Sequence, residues 1–389
     1  MELDKILDEI NENKGITALI ESGAEVFVVG GAVRDALLGV KSKDIDLVVR
    51  LKTINTIQHI LNPFGKIDIV GASFGVLKFT PNGHEGEPFD IALPRTEKKV
   101  GEGHHGFEIN SDPFLPLEAD LLRRDLTINA IAVNVSTREI VDPFFGRTAL
   151  NNGFINCVSD DTFFEDPLRM IRAFQFSSRF GFTILGELLD GIEVNGQSIQ
   201  EISGERVFIE LEKMFKKRKS DETFVNAANE LLRFVWNHMN AGHIITKFNE
   251  GDCNTFVDFL FLLFNGNGDL MAEKLATSTE LVAQVNILNK MCEHLTSDEM
   301  LMTALAAETK FSELKSSMIF TQLLDKRGLI NKFVHAEVRN LKGLAVNGND
   351  LMELGFKGQQ IGQMLNKMLL LTATGRVKNK KETLLKCEL

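Results

Sequence analysis

Tyrosine is absent from all 389 residues, while phenylalanine occurs 29 times and tryptophan once. Total aromatic content stays at an ordinary 8%, so only the division between hydroxylated and plain rings is abnormal. That division predicts wholesale Tyr→Phe replacement, a tyrosine-free engineered variant; an unmodified natural gene with the same sequence would overturn the reading. Each buried, partnered hydroxyl lost in this way costs up to about 1 kcal/mol. Cysteine is scarce as well: Cys157, Cys253, Cys292 and Cys387 lie far apart and form no CxxC pair. This argues against structural zinc and a disulfide scaffold, and predicts a reducing, cytoplasmic setting. Long apolar runs are missing; the densest, 256–264, is interrupted by Asp258, so no membrane span is expected. The opening MELDKILDEINENKG is acidic and amphipathic, unlike the basic-then-apolar start of a signal peptide. Positive charge is also in deficit, with 43 Lys and Arg against 54 Asp and Glu, net −11. Nucleic-acid binding therefore needs a local basic surface. Residues 310–389 offer one, with 14 Lys and Arg against 7 Asp and Glu, leaving −18 on residues 1–309.

What is present is globular: 44% hydrophobic and 25% charged residues exclude a disordered, collagen-like or coiled-coil chain. The length predicts two to four modules. The first part reads as mixed α/β. A helix is expected over 3–22, strands at 26–29, 45–49, 67–70, 75–79 and 89–93, and a helix at 32–38 closed by Gly39. Residues 94–117, rich in Gly, Pro, His and charge, read as a mobile loop, and 125–135 as a helix or strand pair closed at Asp142-Pro143. From about residue 160 the pattern becomes helix after helix, with apolar spacing of three and four over 168–176 and 207–215. The fold class is an α+β N-terminal head, a mixed sheet with helices, followed by an all-α remainder.

The chemistry concentrates in the first part. GGAVRDALLG puts Gly30-Gly31 between a strand and a helix, where backbone amides can approach a phosphate, and Arg34 adds a bidentate donor. An ordinary tight turn reads the same way. In KDIDLVV, Asp44 and Asp46 are two apart, hence on one face of a strand. Side-by-side carboxylates repel unless a cation bridges them, which suits Mg²⁺; a solvated strand edge is the plainer meaning. Asp90, in FDIALPRTE, supplies a third acid from another strand, enough for a two-metal site. ADLLRRDLTINAIA brings Arg123, Arg124, Asp125 and Asn129 together, either as a capped helix start with solvated arginines or as contacts to triphosphate and ribose. In EDPLRMIRAFQF, Asp166 and Arg169 are i, i+3 on a helix face. They form a surface ion pair or read an amino/ring-nitrogen edge, which cytosine and adenine present and uracil and guanine do not. His104-His105 reads as a solvated loop pair, and KKRK at 216–219 as a solvated helix end.

With six motifs in order, GGAVRDALLG…DID, FDIALPRTE, RRDLTINAIA, VDPFFGRTAL, EDPLRMIRAFQFSSRFGF and ISGERVFIELEKMF, the whole chain resembles the class II CCA-adding tRNA nucleotidyltransferases of the polymerase-beta superfamily. The resemblance implies a catalytic head at 1–150, a helical neck with the nucleotide-selecting helix at 151–215, a helical body at 216–305, and a basic tRNA-binding tail at 306–389. It implies metal ligation and catalysis by Asp44, Asp46 and Asp90, with Mg²⁺ as cofactor. Nucleotide binding falls to Gly30, Gly31, Arg34, Arg123, Asp125, Asn129 and Arg172, with Asp166 and Arg169 selecting C or A. Glu205 and Arg206 would cap and orient the selecting helix. Substrates would be CTP, ATP and the tRNA acceptor end, held by backbone and shape. Phe145 and Thr148-Ala149 depart from the usual residues of the VDPFFGRTAL motif.

Siblings that add CC only, A only or a poly(A) tail share these motifs. The long segment between Asp90 and Arg123, and the lack of a basic extension beyond KNKKETLLKCEL, favour full CCA addition. A non-catalytic RNA-binding relative would be expected to lose one acid of the pair. A small-molecule nucleotidyltransferase would not need the Asp166/Arg169 reader.

Overall fold

The computed structural model describes residues 2–42, 44–70, 76–83, 86–101, 107–235, 253–293 and 295–386. His104-His105, Gly75 and Cys387 lie outside the described residues. The chain divides into two compact units, Met1–Val235 and Trp236–Leu389.

In the first unit the expected N-terminal helix is two, α1 (Glu2–Glu12) and α2 (Lys14–Glu21). The apolar spacing runs on through the break, but Asn13 ends it: its side chain accepts from the backbone N–H of Gly15 at 3.0 Å and Ile16 at 3.2 Å, an N-cap that restarts the helix. There follow β1 (Glu25–Val29), α3 (Gly31–Leu37), β2 (Asp46–Arg50), α4 (Ile54–Leu61), β3 (Gly65–Val70), β4 (Val76–Pro81) and β5 (Phe89–Ala92). Next come β6 (Arg95–Lys99), β7 (Phe107–Ser111), α5 (Leu117–Leu122), a 3₁₀ turn at Thr127–Asn129, β8 (Ala132–Asn134) and β9 (Ile140–Val141). Seven strands form one sheet in the order β3-β4-β5-β2-β1-β8-β9. All its neighbours are antiparallel except β2 and β5.

The β-branched run of β1 and β2 suits a pleated surface covered on both sides. Phe27, Val29 and Val48 pack with Leu117 and Leu121 of α5 and with Ala130 and Ala132. The loop expected over 94–117 contains instead an antiparallel hairpin, β6 with β7, from Arg95↔Ser111 to Lys99↔Phe107.

The helical run continues through α6 (Gly146–Asn152), α7 (Asp160–Glu165), α8 (Leu168–Phe180), α9 (Gly186–Asn195), α10 (Gly204–Lys216) and α11 (Asp221–Val235). A short parallel bridge joins β10 (Phe154–Ile155) and β11 (Thr183–Ile184). In α8 the apolar spacing buries Met170, Ile171, Phe174 and Phe176, which leaves Arg169 and Arg172 part-exposed on the side toward the sheet.

The second unit is helical. Asp258, inside the helix Phe256–Leu263, is fully buried and acts as a staple. It accepts from the backbone N–H of Thr255 at 3.0 Å, Met318 at 3.2 Å and Ile319 at 3.3 Å, and from the Ser317 hydroxyl. These bonds tie the start of one helix to the start of another, Met318–Lys326. Farther on, Val338, Val346, Leu351, Met368, Leu369 and Leu384 form a separate apolar core. Among the described residues no helix is long and apolar enough to cross a membrane.

Candidate active site

The parallel pairing of β2 with β5 sets Asp46 directly beside Asp90. Paired residues of neighbouring strands share a face, so both carboxylates stand together at one end of the sheet. Asp44 is exposed and lies just before β2. The Asp46 carboxyl is pushed above its ordinary range by desolvation, with the Asp90 and Asp44 charges adding to the effect and Arg124 opposing it. A buried oxygen of Asp90, Oδ1, has no directional hydrogen bond. Hard carboxylate oxygens in mutual repulsion fit a divalent cation such as Mg²⁺. Among the described residues no three His, Cys, Asp or Glu side chains already form a cage; the acids are a close pair with Asp44 to one side.

Asp46 also opens onto a cleft of about 420 Å³ lined by Gly31, Arg34, Arg123, Arg124, Asp125, Asn129, Asp166, Leu168, Arg169 and Arg172. Gly30, Asp44 and Asp90 lie outside that lining. With Asp46 counted, five of the eleven lining residues are arginines, from α3, the turn after α5 and α8, against three aspartates, a positive excess that suits an anion.

Much of this arginine ring is held by the protein itself. Asp125 accepts from Asn129 Nδ2 at 3.0 Å and from Arg172 Nε at 2.7 Å. Burial alone would raise its carboxyl, but the Arg172 charge and these hydrogen bonds keep it below its ordinary value. Asn129 Oδ1 in turn accepts from Arg34, whose Nε donates to Asp35 Oδ1 at 2.8 Å. Arg34 is only 4% exposed and lies against the Phe176 and Phe180 rings, 5.0 and 5.2 Å from their centroids. Its expected phosphate contact is thus approached by a guanidinium already fixed on three sides.

Asp166 does not sit in α8, as i, i+3 spacing on one helix face expects, but just before it, in extended conformation. Its Oδ1 accepts from the Leu168 N–H at 3.1 Å, and its Oδ2 lies 3.6 Å from Arg206. Arg169 donates to the carbonyls of Arg123 at 2.6 Å and Thr162 at 2.9 Å. Of the two residues expected to orient this helix, Arg206 makes the contact, while Glu205 is exposed.

Sequence reasoning missed the acids that hold the arginines. Asp120 is fully buried and accepts from Arg123 Nη2 at 2.8 Å and Arg124 Nη2 at 3.1 Å. Glu97, on β6, accepts from Arg123 Nη1 at 2.9 Å. The signal for Asp120 was its position three and four residues before Arg123 and Arg124. Glu97 gave none, because its strand was not foreseen. Gly30 has φ +68°, and a Cβ there would lie 2.5 Å from Arg124 Nη1; glycine is what lets Arg124 cross over the turn.

Comparison with known proteins gives this cleft relatives. Family profiles match in chain order: "Poly A polymerase head domain" over residues 26–156, "Probable RNA and SrmB- binding site of polymerase A" over 181–232, and "tRNA nucleotidyltransferase domain 2 putative" over 267–387. The chain is 41% identical over 191 residues to the Multifunctional CCA protein of Laribacter hongkongensis, covering 49% of this chain and 44% of that protein. It is 26% identical over 393 residues to the CCA-adding enzyme of Pediococcus pentosaceus, covering 97% of each. At about 40% identity, the match spans about half the length of the curated relatives. Among solved structures, the Bacillus stearothermophilus CCA-adding enzyme in complex with CTP superposes with a TM-score of 0.74 at 23% identity, over 98% of this chain and 95% of that one. The Thermotoga maritima CCA-adding enzyme complexed with tRNA gives 0.67 at 21%, over 98% and 97%. These two structures share the fold. With profiles matched in order over 26–156, 181–232 and 267–387, the chain is similar along its length to CCA-adding enzymes and carries a match to the poly(A) polymerase head domain.

Proposed function

We propose that the protein adds CCA to the 3′ end of tRNA, taking CTP and ATP as substrates and releasing pyrophosphate. The observation that carries this reading is the register Asp46↔Asp90 at the rim of an arginine-lined cleft. Residues 1–150 act as the catalytic head, 151–215 as the neck, 216–305 as the body and 306–389 as the basic tail that holds tRNA. Mg²⁺ held by Asp44, Asp46 and Asp90 supplies, when bound, activation of the attacking hydroxyl and charge neutralisation at the leaving pyrophosphate.

The remaining work belongs to the chain. Arg123, Arg124 and Arg172 stabilise triphosphate charge from positions fixed in advance by Asp120 and Asp125, so little reorganisation accompanies the reaction. Gly30 and Gly31 allow the phosphates close to the start of α3, with Arg34 behind them. Asn129 and Asp125 face the ribose. Asp166 accepts from the exocyclic amino group of cytosine or adenine while Arg169 donates to the adjacent ring nitrogen, so both must exchange present partners for the base. Uracil and guanine, with a keto group in place of the amino group, are refused.

The test supplies Mg²⁺, CTP and ATP, singly and together, with tRNA transcripts ending before C74, after C75 and after A76. Three additions stopping at A76 support the reading; growth limited to CC, to A, or to a long A tail assigns the sibling activity. Asp46→Ala is expected to abolish incorporation with tRNA binding retained. Turnover in that variant would remove Asp46 from the chemistry.

A further inference from the structure

The acid pair has a third neighbour that the reaction as described does not use. On β4, Lys78 pairs in register with Asp90 of β5, just as Asp46 does from the other side. The three residues therefore form one row across three adjacent strands, acid, acid, base, on the same face of the sheet. Lys78 Nζ lies 3.1 Å from Asp90 Oδ1 and 3.5 Å from Oδ2. Both side chains are part-buried, at 43% and 38% exposure. Lys78 donates a long hydrogen bond to Oδ2 and is only an ion-pair neighbour of Oδ1, which makes no hydrogen bond of proper geometry. The oxygen thus keeps its lone pairs for a cation while a fixed positive charge stands beside it. Leu77 and Phe79, which flank Lys78, are fully buried on the opposite face, so the strand cannot slip and Lys78 stays at this row.

We infer that Lys78 is a positioning residue acting through Asp90, one that weakens the acid pair's grip on a divalent cation. A cation coordinated by Asp90 has to sit against an ammonium within a few ångströms, and at that range like charges cost several-fold in affinity even with solvent screening. The consequence is a site that fills fully only when nucleotide phosphates bring additional negative charge. This inference rests on the proposed metal role of Asp46 and Asp90.

The experiment measures Mn²⁺ binding to the full chain without nucleotide, at fixed pH and ionic strength, from the electron paramagnetic resonance signal of free Mn²⁺. Lys78→Met is expected to bind at least about 3-fold more tightly than the unaltered chain, and Lys78→Arg to match it. Lys78→Gln is the second neutral variant should Met at this part-exposed position unfold the sheet, with circular dichroism as the check. Affinity unchanged or reduced in folded Met and Gln variants overturns the inference, because a purely structural lysine cannot tighten metal binding when removed. Asp46→Asn separates the two levels. If it weakens binding while the Lys78 variants change nothing, only the inference falls; if it binds as the unaltered chain does, the metal reading falls and takes the inference with it.

Discussion

Asp120 shows how one side chain can decide the state of several others. It is fully buried, and desolvation by itself would raise its carboxyl; the charges and hydrogen bonds of Arg123 and Arg124 outweigh that and hold it below its ordinary value. A depressed native pKa means the native chain binds fewer protons than the unfolded one. The stabilisation is therefore complete above the unfolded value of 3.8 and is lost as pH falls through the lower native value. Asp120→Asn is expected to cost about 3 kcal/mol at neutral pH, because the buried carboxylate that bridges Arg123 and Arg124 is lost and Arg123 is left with Glu97 alone. It should also flatten the acid limb, so that urea midpoints measured from about pH 5 down to about pH 3 fall less steeply than in the unaltered chain. An unchanged slope would assign acid sensitivity to other carboxylates.

At the scale of the element, the turn between β1 and α3 is the most constrained piece. Gly30→Ala places a Cβ in a left-handed conformation and 2.5 Å from Arg124 Nη1. The expected loss is about 1–3 kcal/mol of stability, together with at least about a 10-fold drop in kcat/KM as Arg124 is displaced. Thermal unfolding and incorporation rates check the two effects separately. The same turn explains why much of the head was legible in the sequence. EVFVV, GG and DID are each locally unambiguous, and β1, α3 and β2 fall within a residue or so of their expected bounds. The β6–β7 hairpin was not legible, because RTEKK carries no apolar alternation; its ladder is supported by Arg95 to Glu97 at 3.1 Å and by Lys99 reaching the Glu165 carbonyl at 2.8 Å. The residues of the cleft were likewise readable by type, and their engagement with one another was not. Nothing local in EDPLR announces that Arg169 donates to the Arg123 carbonyl, 46 positions upstream.

On the scale of the whole molecule, each of the two units carries its own fixed point. In the second, Asp258 gathers donors from both helix starts. Asp258→Ala strands those buried N–H groups and the Ser317 hydroxyl, at an expected cost of about 3 kcal/mol. Hydrogen exchange should then quicken in the helices Phe256–Leu263 and Met318–Lys326, and protection equal to that of the unaltered chain would show that other contacts hold them. In the first unit, the site depends on a strand pairing that skips two intervening strands. Non-local pairings of this kind form late, and a ribosome supplies the chain from its N-terminus. Asp46 emerges first and has no acid neighbour until β5 is made; Arg123 and Arg124 come later, and Arg172 later still. A nascent chain stopped before residue 172 leaves Asp125 without its Arg172 partner, so the cleft is complete only once α8 has left the exit tunnel.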